Sequence, residues 1–170
     1  MILPKKFFQR DALTVAREIL GKYLAVKFGG KLIKRMITEV EAYDGFDDLA
    51  SHASRGKTER NKIMYEEGGI WYVYFVYGTH YMLNIVTGKK NYPAAVLIRG
   101  LEEINGPGKL TKALNINSHF NGKSASARTG LYIMDLGVKI NLKRIKAGPR
   151  LGVDYAGAKW AKKKYRFYIA

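Results

Sequence analysis

Residues 70–85, which read IWYVYFVYGTHYMLNI, constrain the fold of this chain more than any other stretch. β-branched and aromatic residues dominate the stretch, a composition typical of strands rather than of helix. The turn-forming residues Tyr77-Gly78-Thr79-His80 interrupt it, which predicts a β-hairpin with Tyr77 near its tip. A tight turn would push the Tyr77 ring outward, where a flat ring on a cationic protein can enter a stack of nucleic-acid bases.

Alternation along the strands divides the aromatic residues of this stretch between two faces. Trp71, Phe75 and Tyr77 would share one side of the hairpin, and Tyr72 and Tyr74 would share the other. At least one face therefore carries tyrosines that lie away from the core or line a cavity. The alternative is that most of the rings form core contacts and cross-strand pairs.

The chain has 170 residues, and we expect residues 1–170 to form a single domain with a sizeable core.

The net charge of the chain is the strongest indication of its partner. Thirty Lys and Arg residues oppose fourteen Asp and Glu residues, which gives a formal net charge of +16. This surplus favours nucleic acid over a membrane as partner, because no long lysine block or basic amphipathic helix is present. The alternative is a generally lysine-rich protein without a specific partner.

Cysteine is absent from the sequence, so the chain has no disulfide, no thiolate metal ligand and no thiol nucleophile. No apolar run is long enough to span a bilayer, and the N-terminus lacks the pattern of a secretory signal. A cytoplasmic location is the default expectation. The three histidines, His52, His80 and His119, have no paired ligand spacing. We therefore expect no metal site, and no cofactor is indicated.

Other elements follow from local patterns. Asp11 is a suitable N-cap for a helix near residues 11–20. Predicted strands span residues 23–28, 31–43, 94–101, 131–134, 138–145 and 166–169. Residues 44–64 are expected to form a long polar loop with a helical turn near residues 47–54, and residues 117–130 are expected to be mobile.

A possible phosphate site lies where Asn105-Gly106-Pro107-Gly108 opens a short helix. Lys109 and Lys112 are expected near the start of this helix, where backbone N–H groups are free to bind an anion. The alternative is a plain junction between a loop and a helix.

Glu41 is the carboxylate best placed for chemistry. It lies where strand 31–43 runs into the long loop, and alternation puts Glu39 on the same face. Arg99 breaks an apolar strand, and a buried arginine needs an anion as a buried glutamate needs a partner. If the two strands bring Glu41 and Arg99 together, they form a structural ion pair or hold and polarise a water molecule for attack. A lysine nucleophile is the competing mechanism, but no lysine stands out beside Glu41.

Six segments, in order along the chain, carry a resemblance to a known family. They are EVEAYDGFDDLASHASRG, YVYFVYGTHYMLNI, VLIRGLE, NGPGKLTKALNI, AGPRLGV and RFYI. In these segments the chain resembles the alkyladenine (3-methylpurine) DNA glycosylase family, over residues 5–169. The resemblance implies a monofunctional enzyme of base-excision repair, which flips a damaged purine out of duplex DNA and hydrolyses its N-glycosidic bond.

The resemblance also implies roles for individual residues. Glu41 falls on the family's general base, which activates the attacking water, and Arg99 falls on the residue that helps to hold that water. Tyr43, His52 and Tyr74 fall on the groups that sandwich the flipped base. His52 also lies where the family makes a hydrogen bond to the base.

Two further positions concern the duplex and the choice of base. Tyr77 falls on the side chain that fills the gap left in the duplex, and Asn84 falls on the residue whose bulk disfavours a purine 2-amino group. Gly108 stands where the family often has serine, which puts one contact with the DNA backbone in doubt. A purine such as 3-methyladenine is cationic and already a good leaving group, so one essential carboxylate is enough.

We therefore expect an α/β (α+β) fold: a single domain with a curved, mainly antiparallel β-sheet surrounded by helices, and a protruding aromatic hairpin. The expected partner is double-stranded DNA that contains damaged purines, bound by a monomer. The rival interpretation is a non-catalytic nucleic-acid-binding module of the same fold, which needs no Glu41–Arg99 pair. A carboxylate that faces a cavity favours the enzyme, and one sealed in the core favours the binding module.

Overall fold

The computed structural model describes residues 1–170 and contains four helices and nine strands. The helices are α1 (Lys5–Phe8), α2 (Ala12–Ile19), α3 (Pro107–Ala113) and α4 (Gly157–Ala161). The strands are β1 (Tyr23–Phe28), β2 (Lys31–Asp44), β3 (Trp71–Val76), β4 (His80–Val86), β5 (Ala94–Leu101), β6 (Ile104–Asn105), β7 (Leu131–Met134), β8 (Ile145–Gly148) and β9 (Arg166–Ile169). Single 3₁₀ turns lie at His52–Arg55, Lys62–Tyr65, Ser118–Phe120, Leu142–Arg144 and Asp154–Ala156.

The nine strands form one sheet in which the paired strands run antiparallel. Its main path is β3-β4-β5-β2-β1-β7, while β6 pairs with β5, and β9 pairs with both β2 and β8. The first half of β2 pairs with β1 and the second half with β5 and β9. The register between β2 and β5 shifts between Ile37 and Val40, an irregularity of the kind that bends a long strand. The predicted α+β fold with a mainly antiparallel sheet is confirmed.

In helix α2, the start and the buried face agree with the local sequence pattern. The Asp11 side chain accepts a hydrogen bond from the Thr14 N–H at 2.9 Å, so the predicted N-cap is present. Apolar residues at intervals of three and four form one buried face: Ala12, Val15, Ala16 and Ile19. This face packs on β2 and β5. None of the four helices has the length and apolar character needed to cross a membrane.

The two faces of the central strands have different surroundings. One set of alternate residues belongs to the main hydrophobic core: Val40 and Ala42 of β2, Trp71 and Val73 of β3, Leu83 and Ile85 of β4, and Val96 and Ile98 of β5. The other set lines a cavity: Glu41 and Tyr43, Tyr72 and Tyr74, Met82 and Asn84, and Leu97 and Arg99. The period of two in a strand thus separates a core face from a cavity face, as predicted for Trp71 against Tyr72 and Tyr74. Tyr77 was predicted on the Trp71 side but lines the cavity, because its positive φ angle in the turn breaks the alternation of the strand.

Three local predictions differ from the structure. No strand spans residues 138–145, because this mostly exposed stretch has no neighbouring strand to pair with, and the strand there is Ile145–Gly148. The helical turn predicted near residues 47–54 lies at His52–Arg55, because the Asp48 side chain accepts hydrogen bonds from nearby backbone N–H groups instead. Residues 117–130 are not a free loop, since Ser124 pairs with Ile70 and Ser126 with Leu131.

Candidate active site

A cavity of about 900 Å³ lies on the second face of the sheet. Strands β2 to β5 form its floor, and residues from the segments 49–64 and 151–155 form its walls. Six aromatic side chains line it: Tyr43, His52, Tyr72, Tyr74, Tyr77 and Tyr155. Glu41, Asn84 and Arg99 line the same space. The structure therefore brings together every residue that the sequence predicted for catalysis, base binding and intercalation.

The Glu41 side chain is fully buried and yet borders the cavity. Its Oε1 accepts a hydrogen bond from the Leu151 backbone N–H at 2.8 Å, and its Oε2 accepts one from the Tyr43 hydroxyl at 2.9 Å. The Arg99 Nε lies 3.5 Å from Oε1. A carboxylate offers about four lone-pair positions, so the two hydrogen bonds from Leu151 and Tyr43 leave room for a further donor such as water.

Arg99 is shared by two carboxylates. Its Nε lies 3.3 Å from Oε1 of Glu39 and 3.5 Å from Oε1 of Glu41. Nη1 of Arg166 lies 3.2 Å from the same Glu39 oxygen. The Glu39 side chain is 20 % exposed and that of Glu41 is 0 % exposed. The two glutamates share a face of β2, as predicted, but they differ in their access to bulk water.

The environment of Glu41 makes it a stronger base than an exposed glutamate. Burial raises the pKa of Glu41, against the opposing effects of Arg99, the Leu151 N–H and the Tyr43 hydroxyl. Burial and the Glu41 charge also raise the pKa of Tyr43, so Tyr43 remains a protonated donor near pH 7. A base with a raised pKa accepts a proton more readily.

Three rings pack together along one wall of the cavity. The His52 ring centroid lies 4.7 Å from that of Tyr74, and the Tyr74 centroid lies 5.1 Å from that of Tyr72. Nδ1 of His52 is 3.2 Å from the Tyr72 hydroxyl oxygen. Partial burial and the Arg60 charge lower the pKa of His52, and burial raises the pKa of Tyr72 to about 12. All three rings are therefore uncharged near neutral pH.

Asn84 and Arg60 also border the cavity. Asn84 is 3 % exposed, and its Nδ2 donates to the Tyr72 carbonyl at 3.1 Å, which fixes the side-chain amide. Nη2 of Arg60 donates to the Phe75 carbonyl at 3.2 Å, and its guanidinium carbon lies 5.4 Å from the Tyr74 ring centroid. Nothing in the polar loop sequence distinguishes Arg60 from its basic neighbours. No group of three or more His, Cys, Asp or Glu side chains is arranged to hold a metal ion.

Tyr77 lies at the tip of the β3–β4 hairpin, and it is 90 % exposed. The Thr79 N–H donates to the Val76 carbonyl at 3.1 Å and closes the turn. The φ angle is +53° at Tyr77 and +63° at Gly78, as the favoured tight hairpin turn requires. A left-handed conformation costs a residue with a side chain about 1–2 kcal/mol. The turn by itself therefore does not favour tyrosine at this position.

The two lysines predicted at a helix start are separated in the structure. Both are exposed, but α3 has only seven residues, so Lys109 lies in its first turn and Lys112 in its last. Lys112 instead borders a second groove, together with His80 and Asn117. The expectation that both lysines lie near the free N–H groups is wrong for Lys112. Close packing explains the glycine at position 108, because a Cβ on Gly108 would come within 2.7 Å of the His80 ring.

Asp48 and Arg150 form a buried ion pair that sequence analysis did not find. Nη1 and Nη2 of Arg150 lie 2.5 Å and 2.8 Å from the two Asp48 oxygens, and both side chains are fully buried. Nη1 also donates to the Ala42 carbonyl at 2.8 Å. The local sequence AGPRLGV predicts only a turn, because the partner of this arginine lies 102 positions away.

A cavity with aromatic walls and one oriented carboxylate is suited to an enzyme that acts on a planar, uncharged or cationic group. Comparison with known families identifies which class of enzyme this is. The family model of methylpurine-DNA glycosylase matches the chain in two segments, residues 6–106 and 101–170. The chain therefore belongs to the methylpurine-DNA glycosylase family, which confirms the resemblance seen in the six sequence segments.

Curated relatives match nearly the whole chain, and the three compared below are each named "Putative 3-methyladenine DNA glycosylase". The chain is 42 % identical over 187 residues to the relative from Methanocella arvoryzae, with 98 % of this chain and 92 % of the relative covered. It is 43 % identical over 180 residues to the relative from Borrelia garinii subsp. bavariensis, with 98 % and 95 % covered. It is 39 % identical over 176 residues to the relative from Myxococcus xanthus, with 98 % and 89 % covered.

Proposed function

We propose that this protein is a monofunctional DNA glycosylase of base-excision repair, which removes alkylated purines of the 3-methyladenine type from double-stranded DNA. The observation that carries the proposal is the buried Glu41 carboxylate, which accepts two hydrogen bonds and lies near Arg99 beside an aromatic-walled cavity. Membership of the family and the names of the curated relatives support this class of lesion. Residues 1–170 act as one domain and as a monomer.

Glu41 acts as the general base in this mechanism. It accepts a proton from a water molecule, whose oxygen bonds to C1′ of the flipped nucleotide as the bond from C1′ to the base breaks. The electrons of that bond pass to the alkylated purine and cancel its positive charge, so no acid is needed at the leaving group. Positive charge develops on the sugar in the transition state, and the nearby carboxylate stabilises it. Arg99, 3.5 Å from Glu41, helps to hold the water.

The flipped base is held between the rings of Tyr43, His52 and Tyr74. A cationic purine is attracted to electron-rich ring faces, and the two tyrosines are protonated, neutral phenols near pH 7 because burial raises their pKa values. His52 makes a hydrogen bond to the base, with its ring oriented by the Tyr72 hydroxyl at 3.2 Å. Asn84, fixed by the Tyr72 carbonyl, disfavours the 2-amino group of normal guanine through its bulk.

The cationic surface binds the DNA backbone. A formal net charge of +16 supports contacts with phosphate groups, and such contacts release counterions and make binding strongly dependent on salt. The exposed side chains of Lys109 and Lys112 are candidates for these contacts.

Tyr77 fills the gap that the flipped nucleotide leaves in the duplex. Its high exposure supports this role, because a ring that is 90 % exposed buries too little surface to offset the cost of its positive φ angle. Its ring also borders the mouth of the cavity that receives the base. A strained, exposed aromatic residue beside the cavity is better explained by binding than by folding.

Replacement of Tyr77 by glycine is expected to lower base release from duplex DNA about tenfold to hundredfold, because one stack of a base on an aromatic ring is worth about 1–3 kcal/mol. The free energy of unfolding should be unchanged or slightly higher, since glycine adopts a positive φ without strain. Single-turnover release from duplex and from single-stranded DNA with the same lesion, together with urea unfolding, measures both effects.

Tyr77→Phe is the matched variant, because it keeps the ring and removes only the hydroxyl. It should lose less than about threefold in rate, since stacking depends on the ring face. Release from single-stranded DNA has no gap to fill, so it should change little in either variant. An equal loss on single-stranded and duplex DNA would argue against the gap-filling role.

The proposed function is tested by incubating wild-type protein with methylated duplex DNA in the presence of a metal chelator. The expected products are free methylpurine and an unbroken strand that carries an abasic site, with no protein–DNA adduct trapped by borohydride. A trapped adduct with strand cleavage would show that the nucleophile is a lysine and not a water molecule. Tight binding without base release would favour the alternative, a non-catalytic DNA-binding module of the same fold.

A further inference from the structure

The Asp48–Arg150 ion pair contacts several parts of the proposed active site. Arg150 directly precedes Leu151, whose N–H donates to Oε1 of Glu41 at 2.8 Å. The guanidinium carbon of Arg150 lies 4.7 Å from the ring centroid of Tyr43, and the Tyr43 hydroxyl donates to Oε2 of Glu41. Both protein hydrogen bonds to the Glu41 carboxylate therefore come from groups next to Arg150.

Asp48 anchors the Arg150 side chain to the backbone of the loop that follows β2. Its two oxygens accept hydrogen bonds from the backbone N–H groups of Asp44 and Ala50, each at 3.1 Å. They also bind Nη1 and Nη2 of Arg150. The arginine is thereby anchored to the loop that follows β2, and its guanidinium orientation is set by two parallel hydrogen bonds.

Stability alone does not account for the pair. A buried ion pair usually contributes little compared with apolar residues of similar volume, because the desolvation of two charges offsets their attraction. The Arg150 Nε is buried without a hydrogen-bond partner, which is a further cost. The geometry is better explained by the groups that the arginine holds in place.

We infer that Arg150, paired with Asp48, is a positioning residue for Glu41, which presents the Leu151 N–H to one carboxylate oxygen and orients the Tyr43 hydroxyl towards the other. The inference rests on the proposed function, because it gives Arg150 a role in water activation through Glu41. Arg150 itself donates to Asp48 and Ala42 and contacts no reacting atom. Two fixed donors stabilise the ionised carboxylate and set its direction.

Several charged or titratable groups lie around Glu41 on the surrounding elements. They are Glu39 and Tyr43 on β2, Tyr74 on β3, Arg99 on β5, Arg166 on β9, and Arg150 and Tyr155 in the segment between β8 and β9. Burial raises the pKa of Glu41, and Arg99 is the strongest opposing influence. Loss of a donor to the carboxylate removes support for its ionised form, so the pKa of Glu41 rises further. The acid limb of the rate profile, below which Glu41 is protonated, then moves to higher pH.

The test removes one N–H group. Leu151→Pro deletes the donor to Glu41, whereas Leu151→Ala shortens the same exposed side chain and keeps the donor. Single-turnover release of methylpurine from methylated duplex DNA is measured for both variants as a function of pH. We expect the acid limb of Leu151→Pro to lie about one pH unit above that of Leu151→Ala, because a hydrogen bond to a charged group changes an ionisation equilibrium about tenfold.

Arg150→Lys is the second variant, and it decides the question if Leu151→Pro does not fold. Lysine keeps the positive charge for Asp48 but lacks the planar fork that makes the bidentate pair and stacks on Tyr43. We expect the same upward displacement of the acid limb. A purely structural role predicts a lower rate at every pH, with the limb unmoved, and that result would overturn the inference. Wild-type protein without base release would overturn the proposed function as well, whereas an active wild type with unmoved limbs overturns this inference alone.

Discussion

Glu41→Gln should abolish measurable base release while DNA that contains a methylated purine is still bound. Glutamine keeps the size of the side chain but cannot accept the proton of the attacking water, and loss of a general base lowers the rate by about 10²–10⁴-fold. The carboxylate also stabilises positive charge on the sugar, so the full effect is expected near the upper end of that range. Single-turnover release from methylated duplex DNA measures the rate, and fluorescence anisotropy on the same duplex measures binding.

Glu39→Gln is the matched control for this prediction. Glu39 lies two residues earlier on β2, and it contacts the same Arg99 Nε, but it is partly exposed. Its removal should lower the rate by less than about tenfold, because Glu39 orients Arg99 and transfers no proton. Equal losses in the two variants would point to the orientation of Arg99 as the important property. Equal release by Glu41→Gln and wild type would refute the assignment of Glu41.

Asp48→Ala should cause a large loss of stability. The Arg150 guanidinium, which is fully buried, would be left without its anion, and breaking a buried ion pair costs about 3–5 kcal/mol in the free energy of unfolding. Equilibrium unfolding in urea, followed by tryptophan fluorescence and circular dichroism, measures this change.

Two further variants test the physical reason. The double variant Asp48→Ala/Arg150→Met removes both charges, so it should recover a substantial part of the stability lost in Asp48→Ala. Glu18→Ala breaks the exposed Arg10–Glu18 pair, 2.7 Å apart, and should cost less than about 1 kcal/mol because exposed pairs are well solvated. If Asp48→Ala lowered the free energy of unfolding no more than Glu18→Ala does, the prediction would be wrong, and water would have to solvate the Arg150 charge.

Local patterns predicted the elements whose structure depends on neighbours in the chain. The aromatic hairpin β3–β4 follows from strand-forming residues on both sides of a Tyr77-Gly78 turn. Helix α2 follows from an N-cap and an apolar face with helical spacing. The strand predicted at residues 138–145 is not present, because an alternating pattern forms a strand only where another strand is available to pair with it.

The sequence did not determine whether Glu41 and Arg99 are close together, because their distance depends on the register between β2 and β5. That register pairs Glu41 with Leu97 and brings the Arg99 Nε between the two glutamates. The family resemblance implies one site for both residues without any knowledge of the register. The difference between Glu39 and Glu41, partly exposed against fully buried, became visible only in the folded chain.

By itself, the sequence determined the cationic character of the chain, the hairpin with its exposed ring, and the family to which the protein belongs. These properties reside in composition and in residues that are close along the chain. The tertiary structure alone decided which groups hold Glu41, because its backbone donor Leu151 is 110 positions away and the Asp48–Arg150 pair joins residues 102 positions apart. No local pattern encodes such contacts, since they arise from how the segment between β8 and β9 packs against the end of β2.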